Sequence, residues 1–415
     1  MNKMISLEKA KKILDDFSRE FLMASQKVES VSLWEAGGRA LAVDIIAHED
    51  APAFNRSHVD GYALLSADTC AAAANNPVTL KIIDTIAAGP NSRKRLLPGT
   101  AMKIFTGAPL PLEADCIIKM EETGEIIADY GPAVLIKRSV SVGESISVKG
   151  EDILAGDSLF GRGTVISPIH MEILATLGID PVSVFARPRI GVFSTGNELV
   201  DVHEEQLQFG QLRASNLYAL AEIIRQAGGI PVNLGLVRDR IDHVVQVYEK
   251  AFRLKFPIVI STGGTAFGDF DVIKDAMEKT SSVRLFNKVA MRPGAPIVAS
   301  VWDNQLLIGL SGNPGGAIVA MLMIIYPIIS RLAGGNKHLL PGRGKLTLPV
   351  VREGSLRGLF WGRCDERDGR LYVTPLQNQF CGAIENQINS NCLIEIPAGK
   401  VNLMENDCVD YWKFP

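Results

Sequence analysis

The sequence predicts a multidomain chain in which an α/β region with a central, mostly parallel sheet is joined to regions built mainly of β-strands. Three observations predict it. The chain has 415 residues, more than one hydrophobic core holds, so two to four domains are expected. Between about 190 and 332, short apolar runs alternate with segments of helical period, the pattern of a parallel sheet with crossover helices. Before and after this stretch, β-prone runs are separated by Gly and Pro turns.

The opening MNKMISLEKAKKILDDF puts Ile5, Leu7, Ala10, Ile13 and Leu14 on one face of an amphipathic helix. It lacks the apolar block of a signal peptide, and residues 1 to about 45 keep a helical pattern. From about 46 to 145, runs such as 78–83 alternate with turns at Ala88-Gly89-Pro90 and Leu97-Pro98-Gly99. That is an all-β texture. Residues 171–178 read as a short helix with a glycine stop. Residues 190–194 then form a short buried strand. Ser215 is expected to cap a helix carrying Leu217, Leu220, Ile224 and Ala227, which ends at Gly228-Gly229. A strand follows at 232–237. The next helix carries Val244, Val245, Tyr248, Ala251 and Phe252 on one stripe. Further strands are expected at 258–261, 283–291, 297–300 and 306–310, and a helix at 317–332. The most apolar run, 317–329, is too short to span a bilayer and contains Pro327, so a buried helix is expected. The tail from about 337 is strand-like again, notably at 346–350 and 371–373.

Composition narrows the function classes. Lys and Arg total 43 against 46 Asp and Glu, a balance that argues against a nucleic-acid footprint. The six cysteines are scattered without a CxxC pair. A disulfide framework or structural zinc site is therefore not expected, and a reducing cytoplasm fits. No GxxxxGK[ST], no GxGxxG after a strand and no GxSxG occur, which removes the P-loop, the dinucleotide fold and the hydrolase elbow. His58, His170 and His243 are too isolated for a metal cluster.

Three turns remain, each following an apolar strand of the α/β region, where ligands of open α/β sheets bind. They are Ser194-Thr195-Gly196-Asn197-Glu198, the stretch STGGTAFGDFD from Ser261 to Asp271, and Leu310-Ser311-Gly312-Asn313-Pro314-Gly315-Gly316. Hydroxyls and glycine amides suit phosphate oxygens. Glu198, Asp269 and Asp271 add carboxylates, which repel phosphate unless a metal lies between them. Magnesium takes oxygen ligands and substrate phosphates together. The plainer reading is that Asp271 caps the next helix and the glycines only turn the chain. Asp60-Gly61, inside SHVDGYA, reads by itself as a turn.

Taken in order, SHVDGYA, FTGAP, KGEDI, FSTGNEL, GLVRD, STGGTAFGDFD, MRPGAP and GLSGNPGGA resemble the molybdopterin molybdenumtransferase family, the MoeA-like proteins related to the C-terminal domain of gephyrin. The resemblance covers nearly the whole chain and implies four domains. Domain I is helical and discontinuous (1–45 and 146–180), and domain II is an inserted β-rich domain (46–145). Domain III is the molybdopterin-binding α/β domain (181–335), and domain IV is a C-terminal β domain (336–415). It further implies insertion of molybdate into the dithiolene of adenylylated molybdopterin, assisted by Mg²⁺, with release of AMP. The implied assembly is a homodimer with a composite cleft. Other molybdenum cofactor biosynthesis proteins are implied partners; nucleic acid and membrane are not.

By motif match, Asp60, Asp152, Glu198, Asp239 and Asp271 take the family's catalytic positions. Thr106, Ser194, Thr195, Gly196, Gly263, Gly264, Lys288, Arg292, Ser311, Gly312 and Asn313 take binding positions, and Glu198, Asp269 and Asp271 the metal positions. The chain departs from the family pattern at Ala214, Ala266, Ala295 and Cys381, where polar residues are usual. These departures keep a non-catalytic scaffold, or a paralogue specialised for tungstate, as alternatives.

Overall fold

A computed structural model describes residues 4–89, 94–264, 272–380 and 384–414. The predicted site residues Asp269 and Asp271, with Ala266 and Cys381, lie outside the described residues. The chain forms two compact units. One comprises 1–43, 163–167 and 181–415, and the other 44–162 and 168–180.

The larger unit is built around a six-stranded mixed sheet. Its order is Ile230–Val237, Arg189–Thr195, Ile258–Thr262, Gln305–Leu310, Pro296–Trp302, Val283–Lys288. The first four strands are mutually parallel, and the last two pair antiparallel. Period-2 alternation sends apolar side chains to both faces. Ile190, Val192, Ile258, Ile260, Leu306 and Ile308 enter one core. Phe193, Val259 and Leu307 enter the other. The first core holds helix Ser215–Gln226 and the long segment Pro314–Leu332; the second holds helices Ile241–Arg253 and Val272–Lys279.

Several expectations change in detail. The helix predicted from Ser215 starts there, but its cap position is Ala214, and the Ser215 side chain caps nothing. The apolar segment extends from Pro314 to Leu332, with a π-helical stretch Met321–Ile325. At 19 residues and high hydropathy it is long enough to cross a bilayer, but 83% of its apolar window is buried, which marks a core helix. The strand expected at 283–291 breaks after Lys288 and resumes as Met291–Arg292. The one at 346–350 breaks into Leu340–Leu346 and Val350–Gly354, with Pro349 unable to donate within a ladder.

Helix Leu7–Phe17 buries Leu7, Ala10, Leu14 and Phe17 in the first core, and Ser6 Oγ accepts the Lys9 N–H at 3.1 Å as its cap. The helical pattern expected to about 45 stops near Ser25. Val28–Val31 is a strand instead, paired with Val182–Phe185. The tail curls into a closed sheet: Arg357–Arg367, Arg370–Pro375, Leu340–Leu346, Cys408–Lys413 and Cys392–Ile396, the last pairing back to the first. Met291–Arg292 pairs with the start of Arg357–Arg367.

The smaller unit carries another six-stranded sheet, in the order Cys116–Lys119, Gly61–Leu64, Thr100–Ile104, Val78–Ile86, Gly131–Ile136, Thr123–Ala128. Gly61 is not a hairpin turn but the first residue of a central strand. A Cβ there would lie 2.0 Å from the Ile118 carbonyl oxygen, so only glycine fits. Helix Pro168–Thr176 ends before Gly178, whose φ of +61° is the expected left-handed stop.

Candidate functional site

At the carboxyl ends of the parallel strands, the three predicted turns converge. Thr195 ends its strand, and its hydroxyl donates to Asp239 Oδ1 at 2.6 Å. Asn197 Oδ1 accepts the Asp239 N–H at 3.3 Å, and the Gly196 N–H reaches the Val237 carbonyl at 3.1 Å. Asp239 is thus tied to the first turn from the end of the neighbouring strand. Glu198 is exposed, with its carboxylate folded over Gly196: a Cβ on that glycine would meet both carboxylate oxygens at 2.7 Å.

The second turn lies against the first. Gly263 has φ +93°, and a Cβ there would sit 2.0 Å from the Thr195 carbonyl oxygen; Gly264 has φ +60°. Both conformations favour glycine, and the contact at Gly263 admits no side chain. The third turn closes on the second. The Thr262 hydroxyl donates to the Ser311 carbonyl at 2.8 Å, and the Gly263 N–H to the Leu310 carbonyl at 3.2 Å. A Cβ on Gly312 would lie 3.3 Å from Gly263 Cα. The Asn313 N–H reaches Ser311 Oγ at 3.2 Å. Ser194, Thr195, Gly196, Gly263, Gly264, Ser311, Gly312, Asn313 and Asp239 therefore lie together at one edge of the sheet.

Asn216, near the start of helix Ser215–Gln226, joins them. Its Nδ2 donates to Thr262 Oγ1 at 2.7 Å and to the Gly312 carbonyl at 2.9 Å. Sequence reasoning passed over it in favour of Ser215, because its partners lie 46 and 96 residues along the chain. Three polar atoms around these turns are buried and lack a partner among the described residues: Ser194 Oγ, Asn216 Oδ1 and Asn313 Oδ1. Native proteins rarely leave such atoms unmatched; ordered water or a ligand is their usual partner.

Arg292 is exposed in its short strand, opposite Gly358. Arg352 lies close by; burial first, and then the charge of Arg292, holds its guanidinium below the usual range. Arg352 donates to the Pro397 carbonyl at 3.2 Å, and its guanidinium lies 5.8 Å from the Phe360 ring centroid. A further guanidinium thus lies within electrostatic reach of Arg292, and Arg352 escaped sequence reasoning because 59 residues separate the two. Ala295 is 8% exposed, and its carbonyl accepts the Val289 N–H at 3.1 Å. Lys288 is half-buried at the end of its strand, and its carbonyl accepts the Ile5 N–H at 3.1 Å.

In the smaller unit, Asp60 and Thr106 form a pair: Asp60 Oδ1 accepts the Thr106 N–H at 2.8 Å and its hydroxyl at 2.7 Å. These bonds, the backbone one first, hold the Asp60 carboxyl below its ordinary range. Asp152 is exposed, and its N–H donates to the Ala51 carbonyl at 3.1 Å. Among the described residues no group of three His, Cys, Asp or Glu side chains could hold a metal ion.

This arrangement defines an α/β ligand-binding protein whose site is made of glycine turns and hydroxyls at a sheet's carboxyl edge. Three family models match successive parts of the chain. They are the MoeA N-terminal region (domain I and II) over residues 5–178, a probable molybdopterin binding domain over 191–331, and the MoeA C-terminal region (domain IV) over 343–414. A molybdopterin molybdenumtransferase of Bacillus subtilis (strain 168) is 34% identical, across 90% of this chain and 86% of that protein. One from Staphylococcus aureus (strain MSSA476) is 32% identical, across 93% and 91%. The crystal structure of a molybdopterin biosynthesis moea protein from Pyrococcus horikosii superposes with TM-score 0.83, at 28% identity and full coverage of both chains. The chain belongs to the molybdopterin molybdenumtransferase family and is an enzyme of molybdenum cofactor biosynthesis.

Proposed function

We propose that this enzyme inserts molybdate into the dithiolene of adenylylated molybdopterin, with Mg²⁺-dependent release of AMP. The observation that supports this most is the set of unmatched buried atoms, Ser194 Oγ, Asn216 Oδ1 and Asn313 Oδ1, around the convergent turns. Each orphan acceptor costs about 1–3 kcal/mol. A substrate rich in N–H and O–H groups, as a pterin is, offsets that cost. The backbone amides of Gly264 and Gly312, with the hydroxyls of Ser194 and Ser311, form the pyrophosphate cradle of this reading, and Gly196, Gly263 and Thr195 shape it through their bonds to Val237, Leu310 and Asp239. Arg292 and Lys288 neutralise the oxyanion, with Arg352 as a further guanidinium within electrostatic reach of Arg292. Asp239 holds Thr195 in place, so it orients the cradle.

Magnesium fits the donors present. It needs only one or two carboxylates when substrate phosphates and water complete its shell. Glu198 is the described candidate, with Asp269 and Asp271 as the others. When bound, the ion would neutralise pyrophosphate charge and favour departure of AMP. Asp60, Thr106 and Asp152 complete the site from the partner subunit of a homodimer. The finer division into four domains, a cytoplasmic location and hand-over to other cofactor-assembly proteins belong to the same proposal. Ala295 stands where the family usually carries a lysine, and with that departure insertion of tungstate rather than molybdate is the second reading.

The test is reconstitution with purified adenylylated molybdopterin. AMP release should require both Mg²⁺ and molybdate, and Asp271→Asn should lower it at least tenfold with an unchanged melting temperature. Asparagine still caps a helix but lacks the anionic oxygen. Wild-type release by Asp271→Asn would make that residue a cap only. No release with either oxyanion would overturn the reaction, and release with tungstate alone would select the second reading.

A further inference from the structure

The mixed sheet has a second mouth, at the end opposite the three turns. Arg189 and Gln305 are the first residues of their strands, and Pro257 directly precedes the strand between them. They border a cavity of about 630 Å³, a size that suits a small organic ligand. Leu22, Leu332 and the rings of Phe252 and Phe256 give it an apolar wall. Its rim is cationic: Lys27, Arg187, Arg189 and Lys255 stand around it against one acid, Asp303. None of the four is ion-paired among the described residues.

Like charges gathered round one opening repel each other, and an anion between them removes the repulsion. Lys255 has an ordinary explanation, since it follows the carboxyl end of helix Ile241–Arg253, where cations are favoured. Lys27, Arg187 and Arg189 come from other segments and lack that explanation. Carbonyls of the last helical turn are engaged within the protein, which lessens the repulsion of an anion by the helix end. The Phe252 carbonyl accepts from the Lys255 N–H at 3.0 Å and from Gln305 Nε2 at 3.2 Å, and the Lys250 carbonyl from the Leu254 N–H at 3.1 Å. The bond to Phe252 also fixes the Gln305 amide. Gln305 is 8% exposed, and its Oε1 has no donor among the described residues. Arg189 is already positioned, with its guanidinium 5.3 Å from the Phe256 ring centroid.

We infer that this cavity binds a mononucleotide-sized anion, a planar ring bearing an N–H donor and a phosphate. The ring lies along the phenylalanine wall with its donor toward Gln305, and the phosphate is gripped by Arg187 and Arg189, whose planar forks match its oxygens. The site is separate from the catalytic turns, so the proposal stands independently of the reaction assigned to them.

Calorimetric titration of the full-length protein with AMP tests it, alongside the Arg187→Glu/Arg189→Glu double variant. Wild type should show a binding component that the double variant weakens at least tenfold and that Asp239→Asn, at the other end of the sheet, retains. Adenosine and inorganic phosphate should each bind that component at least tenfold more weakly than AMP. Trp302, stacked on Phe252 at 4.4 Å between ring centroids, gives a fluorescence readout of the same event. Both arginines are exposed, so the double variant should fold; Lys27→Glu/Lys255→Glu supplies the same comparison if it does not. Equal AMP affinity in wild type and a folded charge-reversed variant would overturn the proposal. So would the absence of binding at millimolar AMP, or inorganic phosphate binding as tightly as AMP.

Discussion

The Asp60 carboxylate is held by the next loop before any ligand arrives, through the N–H and hydroxyl of Thr106. Its carboxyl accordingly titrates below the ordinary 3.8. A depressed carboxyl contributes stability that is fully present above its unfolded value and is lost as pH falls through the folded one. The window is therefore acidic, below about pH 4. An NMR titration should find the Asp60 midpoint below 3.8, and Thr106→Val should move it part of the way back up, because the backbone bond survives. A midpoint unmoved by Thr106→Val would remove the hydroxyl from the account. Arg292 carries a second residue-scale prediction. Arg292→Ala should weaken oxyanion binding by about 1.5–3 kcal/mol, the scale of a hydrogen bond to a charged group, measured by calorimetry with molybdate. Unchanged affinity would take the anion away from this loop. The acids and hydroxyls were legible one by one because their residue types carry the chemistry. Asn216 and Arg352 were not, since each acts only through residues far along the chain that folding places beside it.

The glycine turns are the elements on which the site depends. Gly263→Ala meets two obstacles at once, a left-handed φ and a carbonyl oxygen 2.0 Å from the added Cβ. The strain alone is worth about 1–3 kcal/mol, so the variant should lose at least that much in denaturant unfolding and most of its substrate affinity. Wild-type stability and affinity in Gly263→Ala would mean that the turn relaxes freely. The strand–helix alternation of this region was legible because buried parallel strands and amphipathic helices leave different periods in sequence. The strand break after Leu346 was signalled by Pro349; the break after Lys288 was not legible, because β-prone residues continue to Met291 and only ladder pairing ends the strand. Helix Pro314–Leu332 shows the same limit: its composition permits a membrane span, and its burial on the sheet decides otherwise.

At the scale of the molecule, Asp60, Thr106 and Asp152 belong to one compact unit, and the convergent turns to the other. The proposed composite site predicts complementation. Verified heterodimers of an Asp60→Ala subunit and an Asp239→Ala subunit should recover a substantial fraction of AMP release, because one of their two clefts has neither substitution. Either homodimer should stay inactive. No recovery would place both residues in one subunit's site, and an active Asp60→Ala homodimer would remove Asp60 from the reaction.

The sequence by itself determined the class of the fold, the strands and helices of the α/β region, and the ordered motifs that mark the family. Each is a local property: a period, a turn residue or a short string. Tertiary structure alone decided that Gly61 starts a strand rather than turning a hairpin, and that Asn216 bridges two turns. It also decided that Arg352 supplies a further cation within electrostatic reach of Arg292, and that a cationic cavity opens at the far end of the sheet. The physical reason is common to all four. Close approach, burial and charge clustering are relations between residues distant in the chain, and they acquire values only when the backbone has brought those residues together.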